Sequence, residues 1–452
     1  MISCLVFAPM KEANHSFRFE LADEVVLLFR ELKLGEMHIQ MRLEFERHLD
    51  EIRLLNAMKA LLELHPLLAC VIAWKNNVPL WKRRENPDEG LLVRVHSQAE
   101  LKDFLEKGLD LESGAQVCAA LYSHDSGDSL VLMVAHSIAD AGGTKEIVSD
   151  LAALYRNDNA ALCHKVGRKF GSRSGLQIVK GIPFWKWPFI FCRFLASIWR
   201  GVVPLPSHNL SLPPVEDSPK ICAVTKTYDK MAISRLSAYA KKHHATLNDA
   251  FVAAMYRALV REKAWEKKKN TALRVQITVD FRRWYIKSGR AQEICNLSAF
   301  DYPYLVNKLG VDFNETLKLV SAMTRNAKNF GFGVTPFFIV PFVMFIPFRW
   351  KLFLLRRHLR DERKRSNIPP TLTNMGPINR RHVDFGQIPR EAYLLVPPIF
   401  PPFLGIGLSG FEGSMTLSAM VPDNAAPQIR SLFQAIENEL QIATKLFSEE
   451  QG

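Results

Sequence analysis

Apolar and polar residues alternate between Glu36 and His48 closely enough to predict a β-strand. The period then changes. Over residues 50–64, Leu54, Leu55, Met58, Leu61 and Leu62 fall on one helical face. His65-Pro66 ends that helix, because the residue before a proline is driven out of the α region. The next run, LLACVIAW, reads as a buried strand. Residues 115–135 read as a hairpin, AQVCAALY and SLVLMVA, joined by the turn-rich stretch Ser123 to Asp128. His136 stands where the second strand ends, and Gly142 and Gly143 close a tight turn. Ile147, Leu151, Leu154 and Tyr155 then recur at helical spacing. The local order is strand, histidine turn, helix.

A second half begins near Pro219. Thr246-Leu247-Asn248-Asp249 has the form of a capping box opening a helix, with Leu247, Phe251, Ala254, Met255, Ala258 and Leu259 on one face. Residues 263–269 (KAWEKKK) read as a solvated helix end. ALRVQITVDFRRW reads as a strand and EICNLSAFDYPYL as a further extended segment. The C-terminal part returns to strands (EAYLLV, FLGIGLSGF, SMTLSAMV) and closes with an amphipathic helix over 427–447. The fold class this implies is mixed α/β, with hairpin-linked strands in two halves of similar size.

Composition sharpens the picture. A chain of 452 residues, 48% hydrophobic and 23% charged, is a folded globular protein of two or three domains or one two-lobed unit. Its formal charge of +13 favours anionic partners. The seven cysteines are scattered without metal-ligand spacing, which fits reduced thiols in a cytoplasmic protein and no metal site. The N-terminal MISCLVFAPMKE has no basic leader region, so no signal peptide is expected.

Two stretches qualify this. From Asn159 to Val215 there are eight Lys/Arg and no acidic residue, and within 182–206 Lys186, Arg193 and Arg200 recur every seven residues beside many aromatics. This suits a linker with a basic edge, or an interfacial helix. Residues 329–348 carry no charge over twenty positions, but Pro336, Pro341 and Pro347 would break a spanning helix; eight Lys/Arg and two acids follow in 349–365. Segments 182–206 and 329–365 are therefore candidates for peripheral membrane contact. No nucleic-acid motif accompanies the basic residues.

His136 and Asp140 are four residues apart, a spacing chance readily supplies. His124 and Asp128 share it inside a hairpin turn, and His243-His244 precedes a capped helix; only His136 has the strand, turn and glycine setting of a general base. Those residues, VAHSIADAGG, resemble the HHxxxDG motif of the condensation-domain and CoA-dependent acyltransferase superfamily. That superfamily includes peptide condensation domains, chloramphenicol acetyltransferase, plant BAHD acyltransferases, wax ester synthases and mycobacterial polyketide-associated acyltransferases. TLNDAFVAAMYRAL, VQITVDFRRW and TLTNMGPI resemble later family segments in the expected order. The sequence departs from the motif at Ala135, where the first histidine would stand, and at Ala141, where glycine is delayed to Gly142. The BAHD branch also manages with one histidine. Its DFGWG motif is absent here, Asp384-Phe385-Gly386 being followed by Gln387.

The resemblance implies two chloramphenicol-acetyltransferase-like lobes, 1–165 and 216–452, joined by a basic apolar linker over 166–215, with a tunnel between them. It implies His136 as general base for acyl transfer from acyl-CoA or an acyl carrier protein to an alcohol or amine, with no covalently bound cofactor. Asp140 would pair with Arg282, or failing that Arg283, and hold the loop in shape beside Gly142. Thr373, Asn374 and Asn296 are candidates for oxyanion or substrate contact. The alternative is a non-catalytic module of the same fold that binds an acyl carrier or lipid.

Overall fold

The computed structural model describes residues 16–158, 172–175, 178, 181–202, 210–216, 219–262, 272–282, 293–301, 304–306, 309–329, 343, 345–364 and 368–449. Arg283, the stretch 263–269 and most of the uncharged segment before Phe345 lie outside them.

The first part of the chain runs β1 (Ser16–Arg18), α1 (Leu21–Glu31), β2 (His38–Phe45), α2 (Glu51–Leu64), β3 (Cys70–Lys75), β4 (Val78–Arg83), β5 (Leu92–Val95), α3 (Gln98–Lys107), β6 (Val117–His124), β7 (Gly127–Ala135) and α4 (Ala141–Arg156). The hairpin of β6 and β7 forms as the alternation predicts, and β7 pairs with β2 on its other side. All nine residues of β7 are buried, because helices cover both faces of its sheet. On one face Met41, Leu43, Leu130, Leu132 and Val134 pack with Leu54, Met58, Ile147 and Leu151 of α2 and α4. On the other, Ala120 and Val131 meet Leu101 of α3. The run LLACVIAW is only half strand: Pro66–Ala69 make a 3-10 turn, since proline fixes φ for a helical start, and pairing begins at Cys70.

Beyond the basic stretch come α5 (Trp187–Val202), β8 (Ile221–Tyr228), α6 (Lys230–Lys242), α7 (Leu247–Arg261), β9 (Ala272–Arg274), β10 (Gln276–Asp280), β11 (Ser298–Asp301), β12 (Tyr304–Val306), α8 (Phe313–Asn329), α9 (Phe348–Lys364), β13 (Thr371–Ile378), β14 (Glu391–Leu395), β15 (Gly405–Phe411), β16 (Ser414–Pro422) and α10 (Ala426–Glu449). The capping box at Thr246 is present: its hydroxyl accepts from Asp249 N–H, and Asp249 accepts from Thr246 N–H. The stretch read as one strand over 272–284 is divided. β9 pairs with β12, while β10 enters a six-stranded sheet ordered β11-β10-β13-β15-β16-β8. Phe251, Leu259, Ile277, Leu408, Leu417 and Leu432 share the core of that second unit. Within it, fully buried Glu439 takes Arg257 at 2.6 Å and Arg261 at 2.9 Å.

One strand crosses between the two units. β14, which sequence order puts in 216–452, is the edge of the first sheet, ordered β14-β2-β7-β6-β5. Its other side is not bare. Leu394 N–H donates to Ser409 Oγ at 3.1 Å and Leu394 C=O accepts from Ser418 Oγ at 3.0 Å, so hydroxyls of β15 and β16 finish the ladder. Both serines are buried. Ser418→Ala leaves that carbonyl without its donor and is expected to lower stability by about 1–3 kcal/mol in urea unfolding.

Candidate functional site

The turn after β7 begins with His136 and ends with Asp140, which is the N-cap of α4. Gly142 and Gly143, expected to close a turn, instead lie in the first turn of the helix, after Ala141. The reason is Asp140: its carboxylate accepts from Gly143 N–H at 2.9 Å, satisfying one of the free donors of the helix start.

The same carboxylate is held from the second unit. Arg282, just past β10, donates Nη2 to Oδ1 at 2.6 Å and Nη1 to Oδ2 at 3.0 Å. Leu297 N–H and Ser298 Oγ also donate to Oδ2, at 2.9 and 2.8 Å. Burial alone would raise the Asp140 pKa, but the guanidinium and the backbone donors outweigh it and hold the group at about 2. Gly142 is what lets the arginine approach. A Cβ there would lie 2.4 Å from Arg282 Nη1. The displaced glycine thus stands where the guanidinium passes.

His136 points elsewhere. Its backbone N–H donates to Met37 C=O at 2.9 Å, and its Nδ1 lies 3.0 Å from Ala139 C=O. A carbonyl can only accept, so Nδ1 carries the proton and the lone pair of the neutral ring is on Nε2. Burial pushes the imidazole below its ordinary value, opposed only in part by the Ala139 carbonyl and by Asp140. The ring is therefore neutral at pH 7, in the state a base needs.

Asn296 Nδ2 donates to His136 C=O at 2.6 Å, which places its side chain beside the histidine turn. Its Oδ1 is buried and has no hydrogen-bond partner among the described residues, and the same holds for Ser137 Oγ and Thr144 Oγ1. A buried polar atom left unpaired costs about 1–3 kcal/mol, so Asn296 Oδ1, on a side chain bonded to the histidine turn, is free to accept a further polar contact. Thr373 and Asn374 take their hydrogen bonds from within the second unit, none of them with the histidine. Thr373 Oγ1 meets Thr278 Oγ1 at 2.7 Å, and Asn374 meets Asn248 Oδ1 at 3.0 Å and Gly376 N–H at 2.9 Å. Their strand is nonetheless tied to α4, because Lys145 Nζ donates to Met375 C=O at 2.7 Å and Pro377 C=O at 3.2 Å.

Sequence reasoning missed Arg173. It is buried, chelates Asp23 of α1 at 2.6 and 3.0 Å, and donates to Ile138 C=O at 3.3 Å and Ile294 C=O at 2.9 Å. It braces the histidine turn from behind. It also missed that Asp128 is buried and accepts from His48 and Leu49 N–H rather than from His124. His65 and Asp150 form another close pair, at 2.7 Å, between the end of α2 and α4. A polar cavity of about 530 Å³ opens at the far end of β7, between Arg42, Glu44, Tyr122 and Tyr393, and does not include His136. Among the described residues no cluster of His, Cys, Asp or Glu is placed to hold a metal ion.

No family model matches the chain, and no curated protein matches it in sequence. Solved structures do match in shape. The trichothecene 15-O-acetyltransferase of Fusarium sporotrichioides aligns with a TM-score of 0.67 at 12% identity, over 95% of each chain. The first condensation domain of the calcium-dependent antibiotic synthetase aligns at 0.65 and 17% identity, over 96% of each. The epimerization domain of the third module of tyrocidine synthetase B aligns at 0.63 and 13% identity, over 98% of this chain and 99% of that one. The fold is the mixed α/β fold of condensation domains and chloramphenicol-acetyltransferase-like acyltransferases.

The Asp140–Arg282 pair gives a stability prediction. The folded pKa, about 2, lies below the ordinary 3.8, so this contribution is fully present above about pH 4 and is lost as the pH falls toward 2. Asp140→Ala is expected to cost about 3–5 kcal/mol, because it removes the buried ion-pair partner of Arg282, which keeps the exposed Asp280 at 3.2 Å, and the acceptor of Gly143 N–H and Leu297 N–H. Gly142→Ala is expected to act in the same direction. Urea unfolding at pH 7 and pH 3 checks both.

Proposed function

We propose that this chain is an acyltransferase, with His136 as general base. The observation that carries the reading is the Nδ1 contact with Ala139 C=O, which leaves the Nε2 lone pair for chemistry on a neutral ring. The donor is a thioester, of coenzyme A or of an acyl carrier protein, and the acceptor an alcohol or amine, both meeting at His136 in a tunnel between the two lobes. Nε2 takes the proton from the acceptor O–H or N–H as the heteroatom attacks the thioester carbonyl carbon. The tetrahedral oxyanion then collapses, the C–S bond breaks, and the imidazolium returns its proton to the departing sulfur. Asn296, with an unpaired Oδ1 beside the histidine turn, positions the acceptor by taking a hydrogen bond from it. Thr373 and Asn374 border the donor carbonyl. Asp140 and Arg282 hold the turn and move no proton.

Three functions are named among the similar structures, acetyl transfer, condensation and epimerization. Fold alone does not choose among them. An epimerase returns its donor with the thioester intact, whereas acyl transfer releases a free thiol. A second reading, a module that binds acyl groups without turnover, draws on Ala135, which stands buried where the motif has its first histidine.

Thiol release from acyl-CoA and acyl-carrier donors, followed with panels of alcohols and amines, tests the reading. Release is expected to require both an acceptor and His136, with His136→Ala lowering the rate by about 10²–10⁴-fold while the fold persists. Acceptor-independent binding with no thiol release supports the binding module. Because the base must be neutral, kcat/KM is expected to fall as the pH drops, with its midpoint below the ordinary histidine value of 6.5. A midpoint above that value would exclude His136 in this partly buried, neutral state as the base. Asn296→Ala is expected to raise KM for the acceptor more than for the donor.

A further inference from the structure

We infer that the outer face of α9 is a docking surface for an anionic lipid bilayer. The helix lies on the first unit by one face only. Phe348 is buried, Leu352 and Leu355 pack on that unit's core, and buried Lys351 pairs with Glu24 of α1. At 100° per residue this leaves the opposite face outward, and that face is not polar in the ordinary way. It carries Trp350, 60% exposed, Phe353, 54%, and Leu354, 48%, with Phe345, 87% exposed, just before the helix. Arg349, Arg356, Arg357 and Arg360 are exposed among them.

A solvated helix face has the arginines without the aromatics, and a protein-interface core, though enriched in aromatics and arginine, is depleted in charge overall, whereas four exposed arginines stand among these apolar groups. Large apolar groups interleaved with arginines suit a surface that is apolar a few ångströms down and negative at its rim, which is the headgroup region of an anionic bilayer. Nucleic acid or an acidic protein would account for the arginines and leave Leu354 and Phe345 unexplained. A second patch points the same way. α5 is anchored by buried Ile190 and by Trp187, while Phe189, Phe191 and Leu195 stay exposed, preceded by exposed Phe184 and Trp185. Among the described residues no helix is long and apolar enough to cross a membrane, so the contact is with the surface. α9 leads within a few residues into β13, whose backbone Lys145 ties to the helix after the histidine turn. A bilayer-bound α9 thus sets that strand, and the site beside it, close to the membrane plane.

The test is co-sedimentation of the full chain with vesicles of phosphatidylcholine alone and of phosphatidylcholine mixed equally with phosphatidylglycerol. The protein is expected to pellet with the mixed vesicles, weakly with the neutral ones, and less as salt rises. Replacing Arg356, Arg357 and Arg360 by Gln is expected to weaken partitioning by roughly a hundredfold, at roughly fivefold per basic residue removed. The double variant Trp350→Glu, Phe353→Glu is expected to weaken it at least about tenfold. Both change exposed positions, and thermal unfolding verifies that they fold. A measurement that needs neither is quenching of tryptophan fluorescence by bromine-labelled lipid, expected to diminish in Trp350→Phe. No pelleting with anionic vesicles, pelleting unchanged in both variants, or binding to a DNA duplex without binding to vesicles would each overturn the proposal.

Discussion

The Asp140 carboxylate is the point at which the two units of this protein become one site. It caps α4, which follows the first sheet, and it is chelated by Arg282, which follows a strand of the second. Its other donors, Leu297 N–H and Ser298 Oγ, also come from the second unit. A buried carboxylate with that many donors stays ionised although burial opposes it. The gain is geometric. A charge that cannot relax into solvent fixes where the two units meet, and therefore where His136 lies relative to Asn296. Arg173 does the same from the other side of the turn, linking Asp23, Ile138 and Ile294 in one buried cluster.

How much of this was legible in the sequence follows from the range of the forces involved. The β6–β7 hairpin and α4 were legible because burial imposes a period on neighbouring residues. The setting of His136 was legible for the same reason, and the choice of Arg282 over Arg283 as partner rested on a resemblance. Arg173 was not legible. It is one of eight basic residues in a stretch without acids, and its partner Asp23 is 150 positions away. Nothing local separates it from the other seven. The delayed glycine was visible as a departure but had no meaning until the guanidinium was seen to pass 2.4 Å from where its Cβ would be.

Sheet membership met a similar limit. EAYLLV announces a strand, and a strand needs a neighbour, but its residues do not say which sheet supplies one. β14 pairs with β2 on one side, and on the other exchanges hydrogen bonds with two serine hydroxyls in place of a backbone partner. That arrangement lets a strand from the second half complete the first sheet without fusing the two ladders. It also means that a cut between the halves would take the edge strand from the first sheet and leave the β2-facing side of β14 without its ladder partner.

The histidine's partner bears on the chemistry the site can perform. Elsewhere in the chain histidines do meet carboxylates, His65 with Asp150 and His48 with Asp128. At His136 the partner is a neutral carbonyl, and the nearby Asp140 is already committed to Arg282 and the helix start. A carboxylate on Nδ1 would stabilise the imidazolium and make a stronger base that is partly protonated at neutral pH. A carbonyl fixes the same tautomer while leaving the ring neutral and weakly basic. Such a base suits a reaction in which proton removal is not the hard step and the leaving group departs readily, as a thiol does from a thioester. In the proposed reading the single histidine needs no second one to orient it, since the turn's own backbone and the buried ions around it hold the ring.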